Sequence, residues 1–357
     1  MKIEELKNLL KKTPVILQSD PITLAYLENV EVVENLQSFI KKLDMPIQMA
    51  SDDIVIIDRK KKSAFNRFPD AQITEDLFKP ELNELVFTKY EFLSKYLFTQ
   101  KDVGKLIVSD VDTDVIILYL VDGLSYINCR DIRGVEPCFV NGATITAVGF
   151  RNIVGDPPIA YKLFENGFKS RIGFSYWERD NELTNILFKG FVDEQMHRVS
   201  EYDSIIQILK EESLEKTFVQ IVVAGCDGVA HKNRDRPPVR QLVKRIFEEY
   251  IQKMEDIIHD KGLNGIIYLV ADHGIWWKPN GNEEEYIVIS DSRAKSKRFL
   301  DGHIIRNDML HVESYGKKYS LLKYPYLFSD YAINEWGTHG GISYYESFVP
   351  FYKKEVI

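Results

Sequence analysis

The chain has 357 residues, 45% of them apolar and 28% charged, enough material for a buried core and too ordered a composition for disorder to be its main theme. Its net charge of −8, from 46 basic and 54 acidic residues, argues against a general nucleic-acid coat protein. Cys129, Cys138 and Cys226 show no CxxC spacing, and no apolar run reaches the roughly 18–20 residues that span a bilayer. The opening MKIEELKNLLKK reads as a charged amphipathic helix and not as a signal peptide or anchor, so a soluble cytoplasmic protein without membrane contact is the expectation.

Residues 1–112 read as an N-terminal accessory domain or extension of mixed helix and strand. Helices are expected over 3–12 and 22–43, strands over 15–18 and 52–58, and a helical region over 75–99. None of these carries a recognisable chemical group. From residue 113 to 357 the pattern changes. Apolar runs recur and end in acidic or small residues: VIILYLVDG (115–123), FVQIVVAGCDG (218–228) and IIYLVADHG (266–274). Between the last two, Leu242, Ile246, Tyr250, Met254 and Ile257 recur at helical spacing over 239–260. Continuously apolar strands alternating with helices predict an α/β fold: a central, mostly parallel sheet flanked by helices. Such sheets bind ligands outside the carboxyl ends of their strands, where Asp122, Asp227 and Asp272 all fall.

Each strand end adds a possible ligand. Asp227 is followed four residues later by His231, a spacing that can put both on one side of a helical turn. His273 adjoins Asp272, and His339 lies in EWGTHGG, whose paired glycines let the backbone fold closely round a site. Taken singly, a strand-end Asp is usually a turn or cap residue, and a loop His is usually solvated. Together, three imidazoles and three carboxylates suit Zn2+ or another divalent ion such as Mn2+, and exceed what one tetrahedral site needs. The surplus suggests two metals, the arrangement that clamps attacking and leaving oxygens in phosphoryl transfer. NGATITAVGF (141–150) follows the first strand and runs into a helix-like segment. A threonine hydroxyl at that helix start, as cap or as nucleophile, sits where backbone amides favour phosphate oxygens.

The ordered set Asp122, Thr146, Asp227-x-x-x-His231, Asp272-His273-Gly274 and His339-Gly340-Gly341 resembles the alkaline phosphatase superfamily. The resemblance is to its branch of type I phosphodiesterases/nucleotide pyrophosphatases and PglZ-domain proteins. The tail HGGISYYESFVPF looks like that branch's ending, and ATITAVGF resembles its P-T-x-T nucleophile segment. The resemblance implies a phosphodiesterase in which Asp227, His231 and His339 hold one metal, while Asp122, Thr146, Asp272 and His273 hold a second. Thr146 would attack phosphorus and carry a phosphothreonine intermediate. Ala143 replaces the motif's Pro, and Gly149 stands where nucleotide pyrophosphatases carry an Asn that contacts a phosphate oxygen.

A phosphate-ester substrate is thus expected, with a nucleotide or nucleic acid as one form of it. The basic clusters KNRDRPPVR and SRAKSKR could contact the rest of such a substrate, Arg234 and Arg236 in the first, though a basic cluster also decorates helix entries. Trp276 is a candidate for stacking on a base, and equally for core packing. Two alternatives stand beside the diesterase. A PglZ-type component of a defence assembly would act mainly by binding protein partners, and a phosphomonoesterase or mutase would use the same scaffold.

Overall fold

The computed structural model describes residues 79–178, 181–199, 201–231, 234–279 and 286–357; the elements expected between residues 3 and 58 lie outside the described residues. The chain divides into two compact units, Met1–Leu97 and Phe98–Ile357. The first shows two helices, Lys79–Thr88 and Tyr90–Tyr96, within the stretch read as helical. All the candidate site residues belong to the second.

The second unit is built on seven strands: β1 (Val115–Val121), β2 (Val135–Phe139), β3 (Ser170–Ser175), β4 (Met196–Arg198), β5 (Thr217–Val223), β6 (Gly265–Ala271) and β7 (Phe348–Val356). They form one sheet in the order β2-β7-β6-β1-β5-β3-β4. The sheet is parallel from β6 to β4, and only β7 runs antiparallel to both its neighbours. Every residue of β1 and β6 is buried, because both faces carry helices, and this is why these strands read as unbroken apolar runs. Val103, Phe150, Ile153, Leu209, Met254 and Ile257 from those helices join the strands in one hydrophobic cluster. The expected mostly parallel α/β sheet is the observed one.

The helix read over 239–260 contains a π-helical turn, Arg245–Tyr250, between the α-helices Val239–Lys244 and Ile251–Asp260. Leu242, Ile246, Tyr250 and Met254 step by four residues each, which overshoots the 3.6-residue turn, and the wider π turn takes up the excess.

Register positions the site. Val121 at the end of β1 pairs with Val223 of β5 and with Ala271 of β6, so three strands stop level with one another. Beyond β6 the chain makes a short strand, Trp276–Trp277, then an excursion containing a three-stranded antiparallel sheet. It returns as Gly337–Thr338, which pairs with Trp276–Trp277 and delivers His339 to the same edge. Among the described residues no helix is long and apolar enough to cross a membrane.

Candidate active site

Asp122 and Asp272 are the first residues past β1 and β6, and level strand ends set them side by side. Asp227 follows β5 by a tight turn. The Asp122 amide bonds the Val223 carbonyl (3.0 Å) and the Asp227 amide bonds the Asp122 carbonyl (3.1 Å). The turn needs Gly225, whose φ is +51° and whose Cβ, if present, would lie 2.2 Å from the Asp122 carbonyl oxygen. Asp227–His231 is a single helical turn that brings His231 Nε2 to 3.3 Å from Asp227 Oδ1. The amides of Gly123 and His273 both donate to Asp272 Oδ1 at 2.9 Å, fixing that carboxylate from the backbone.

The imidazoles are fixed through their far nitrogens. His273 Nδ1 lies 3.2 Å from the Gly274 carbonyl and His339 Nδ1 lies 3.1 Å from the Thr144 carbonyl. A carbonyl only accepts, so Nδ1 carries the proton in the neutral ring and Nε2 presents a lone pair. The two rings stack at 3.8 Å and 10°. Their bare nitrogens face carboxylate oxygens: His273 Nε2 lies 3.4 Å from Asp272 Oδ2 and 3.6 Å from Asp122 Oδ1, and His339 Nε2 lies 3.3 Å from Asp227 Oδ1. Those same three oxygens are buried and accept no hydrogen bond among the described residues. Lone pairs converging on lone pairs form a donor set that fits a cation. They make two groups, Asp227 with His273 and His339, and Asp122 with Asp272 and His273, whose ligand atoms lie within 4.8 Å of one another. The hard oxygen and borderline nitrogen donors suit a divalent ion.

Charge in the cluster is mutually frustrated. Burial, then the charge of Asp227, push Asp122 up to about 7. Burial and the Asp122 charge hold Asp272 well above the usual carboxylate range. Burial also pushes Asp227 up, but His231 beside it outweighs burial and holds its carboxyl at about 2. Burial lowers His273 and His339, whereas the Asp227 carboxylate 3.3 Å from its ring raises His231. A bound cation would relieve the repulsion among the three carboxylates.

Thr146 opens the helix Thr146–Val154, and its Oγ1 lies 3.3 Å from His273 Nε2. Gly149, one turn further along, explains how the helix comes so close. A Cβ there would sit 2.0 Å from the Asp272 carbonyl oxygen, so only glycine lets the helix lie on the Asp272–His273 backbone. Thr144 ties this loop to the histidine loop: its hydroxyl donates to the Gly341 carbonyl (2.8 Å) and accepts from the Gly340 amide (3.1 Å).

Of the residues singled out from the sequence, Asp122, Thr146, Asp227, His231, Asp272, His273 and His339 come together. Trp276 does not. Trp276 is 3% exposed, packed against Tyr324 with the Arg298 guanidinium over its ring at 4.7 Å, so it faces the core and not a ligand. Arg234 and Arg236 are exposed beyond the Asp227–His231 turn. Within SRAKSKR, Arg298 is fully buried and forms a two-bond ion pair with Glu346 (3.0 and 2.7 Å), so it is closed to substrate.

Several contributors escaped sequence reasoning. Tyr176 donates to Asp122 Oδ2. Glu335 Oε1 lies 3.5 Å from His231 Nδ1, orienting that ring as outer carboxylates orient metal-bound histidines. Gln100 donates to the carbonyls of Ala271 (2.8 Å) and Asp272 (2.6 Å). Its signal was available: it shares a buried helical stripe with Val103, Gly104 and Ile107, a polar residue in an apolar pattern.

No protein-family model matches the chain, and no curated protein matches it in sequence. Among solved structures it is similar to murine ectonucleotide pyrophosphatase/phosphodiesterase 5, at 8% identity and a TM-score of 0.47, over 67% of this chain and 87% of that one. Phosphonoacetate hydrolase from Sinorhizobium meliloti 1021, in complex with phosphonoformate, is 12% identical with a TM-score of 0.42, over 66% of this chain and 89% of that one. The zinc complex of the C-terminal periplasmic domain of EptC from Escherichia coli is 9% identical with a TM-score of 0.31, over 46% and 64% of the respective chains.

Proposed function

We propose that the unit Phe98–Ile357 is a two-metal phosphohydrolase of the alkaline phosphatase type, acting on phosphodiesters with Thr146 as nucleophile. The observation that carries the reading is the convergence of three buried carboxylate oxygens on the imidazole nitrogens of His273 and His339, the first of them 3.3 Å from the Thr146 hydroxyl. Asp227, His231 and His339 would hold one ion; Asp122, Asp272 and His273, with Thr146 Oγ1, would hold the other. Divalent ions there, Zn2+ first and Mn2+ as the alternative, supply positive charge to phosphate oxygens and acidify the threonine hydroxyl.

The chain's own residues do the rest. Thr146 Oγ1 loses its proton to solvent and forms the new bond to phosphorus. The bond from phosphorus to the leaving oxygen breaks in line, and its electron pair departs with that oxygen. The nine-residue helix begins at Thr146, and backbone amides at a helix start favour the oxygens of a transferred phosphoryl group. Water then attacks phosphorus, the Thr146 oxygen takes a proton back, and a phosphomonoester leaves. Gln100 and Gly149 hold the Asp272–His273 backbone and the Thr146 helix in contact, so nucleophile and ligands keep one geometry. A diester preference is supported by the resemblance of the HGGISYYESFVPF tail; a nucleotide is one such substrate. The three cysteines are buried and unpaired, consistent with a reducing, cytoplasmic setting.

The test is hydrolysis of bis(p-nitrophenyl) phosphate beside p-nitrophenyl phosphate by protein loaded with Zn2+ or Mn2+. The expected result is chelator-sensitive diester cleavage that Thr146→Ala lowers at least about 10³-fold while metal content stays. Full activity in Thr146→Ala sinks the nucleophile, and activity that survives chelation of metal-free protein sinks the site.

A further inference from the structure

A cleft of about 540 Å3 opens beside His231 and His339, and neither Thr146 nor His273 lines it. Most of its charges are already spent on one another. Glu335 pairs with Lys297 at 3.0 Å and faces His231, while Lys297 Nζ also donates to the Asp330 carbonyl at 2.7 Å. Asp291 is held by Arg293 at 2.6 Å, with Arg306 at 3.8 Å. Lys295 remains: it lines the cleft, is exposed, and has no hydrogen-bond or ion-pair partner among the described residues. Beside it, Ser296 Oγ accepts from the Arg298 amide at 3.2 Å, which leaves the hydroxyl proton free to donate. The cleft therefore presents an uncommitted ammonium with a neighbouring donor, and among the described residues no uncommitted carboxylate lines it.

Direction gives this cleft its place in the reaction. Displacement that starts at Thr146, on the His273 side, expels the leaving group on the opposite side of phosphorus. The cleft beside His231 and His339, which Thr146 and His273 do not line, is a space open to that group. We infer that Lys295 is a specificity-determining residue that binds an anionic group carried on the leaving group of the substrate. The inference rests on the reading of Thr146 as nucleophile; it adds the chemistry of the group that departs. An ammonium hydrogen-bonded to an oxyanion favours that substrate over its uncharged counterpart by about tenfold or more.

Two diesters that differ in one carboxylate test it: methyl p-nitrophenyl phosphate and methyl 3-carboxy-4-nitrophenyl phosphate, with metal-loaded wild type, Lys295→Ala and Lys295→Arg. The expected result is a wild-type preference in kcat/KM for the carboxylated diester that Lys295→Ala lowers about tenfold, through KM, and Lys295→Arg largely restores. A ratio unchanged in Lys295→Ala overturns the inference. Calorimetric titration of the same metal-loaded proteins with the product 3-carboxy-4-nitrophenol, beside p-nitrophenol, separates it from the chemistry. If wild type cleaves neither diester, the phosphohydrolase reading fails. The titration then still decides Lys295: carboxylate-dependent affinity lost in Lys295→Ala sustains its role as an anion site, and equal affinities remove it.

Discussion

Asp227 Oδ1 and His339 Nε2 stand 3.3 Å apart with the imidazole proton on the far nitrogen, bonded to the Thr144 carbonyl, so two lone pairs face each other in a half-buried site. In the metal-free protein this contact is unfavourable, and a shared cation makes it favourable. Zn2+ or Mn2+ is therefore expected to raise the unfolding temperature by several degrees, because ligand at a hundred times its Kd adds about 2.7 kcal/mol per site. In His339→Ala the shift is expected to shrink, and EDTA to abolish it in wild type. Melting curves by circular dichroism with and without metal check this, and superimposable curves for wild type would count against a metal at Asp227.

Asp122 makes metal binding pH-dependent in a stated direction. Burial and Asp227 raise its carboxyl to about 7, so the metal-free protein carries a proton there on the acid side of neutrality. A coordinating carboxylate must be ionised, so binding expels that proton. Affinity is therefore expected to rise with pH through about 7 and then to flatten as far as Asp122 is concerned; Asp272, also raised, extends the slope. Calorimetry at pH 6 in buffers of different ionisation enthalpy is expected to show release of about one proton or more per protein. Asp122→Asn should lower that number. Affinity independent of pH from 6 to 8 would contradict the assignment.

The sheet and its ligand edge were legible because physics writes them locally. A strand covered on both faces must be apolar along its whole length, as β1 and β6 are, and a polar residue at its end stands out. Gln100, Tyr176 and Glu335 reach the site only through tertiary folding, so no spacing along the chain joins them to Asp272, Asp122 or His231. Trp276 could be read either way from sequence, and pairing of its short strand with Gly337–Thr338 decides for the core. Gly149 shows the opposite failure. Beside the resemblance it read as a missing phosphate contact, whereas the close approach of the Asp272 backbone shows why a side chain has no room there.

That steric reading of Gly149 yields its own prediction. In Gly149→Ala the new methyl would meet the Asp272 carbonyl at 2.0 Å, and backbone on both sides leaves nothing flexible to yield. The helix must move off the loop, at a cost of about 1–3 kcal/mol typical of overpacking. Urea denaturation should show this loss, and diesterase activity should fall with it because Thr146 shifts away from His273. A variant as stable and as active as wild type would mean that the helix does not depend on this contact.

Arg298 and Glu346 hold the histidine loop from beneath. Both are fully buried, and Glu346 also accepts from the Gly341 amide (2.9 Å) and the Ser343 hydroxyl (2.6 Å), two and four residues past His339. Removing one partner leaves an uncompensated buried charge, so Arg298→Met and Glu346→Leu are each expected to cost about 3–5 kcal/mol. The double variant removes both charges and should be less damaged than the sum of the singles. It should not return to wild-type stability, because the Gly341 amide and Ser343 hydroxyl lose their acceptor, at about 1–3 kcal/mol for each donor left unsatisfied. A double-mutant cycle by urea denaturation measures both terms, and metal affinity measured on the double variant reads the loop. Loss of His339 alignment should weaken binding there even where folding is recovered, whereas unchanged affinity would confine the pair to stability alone.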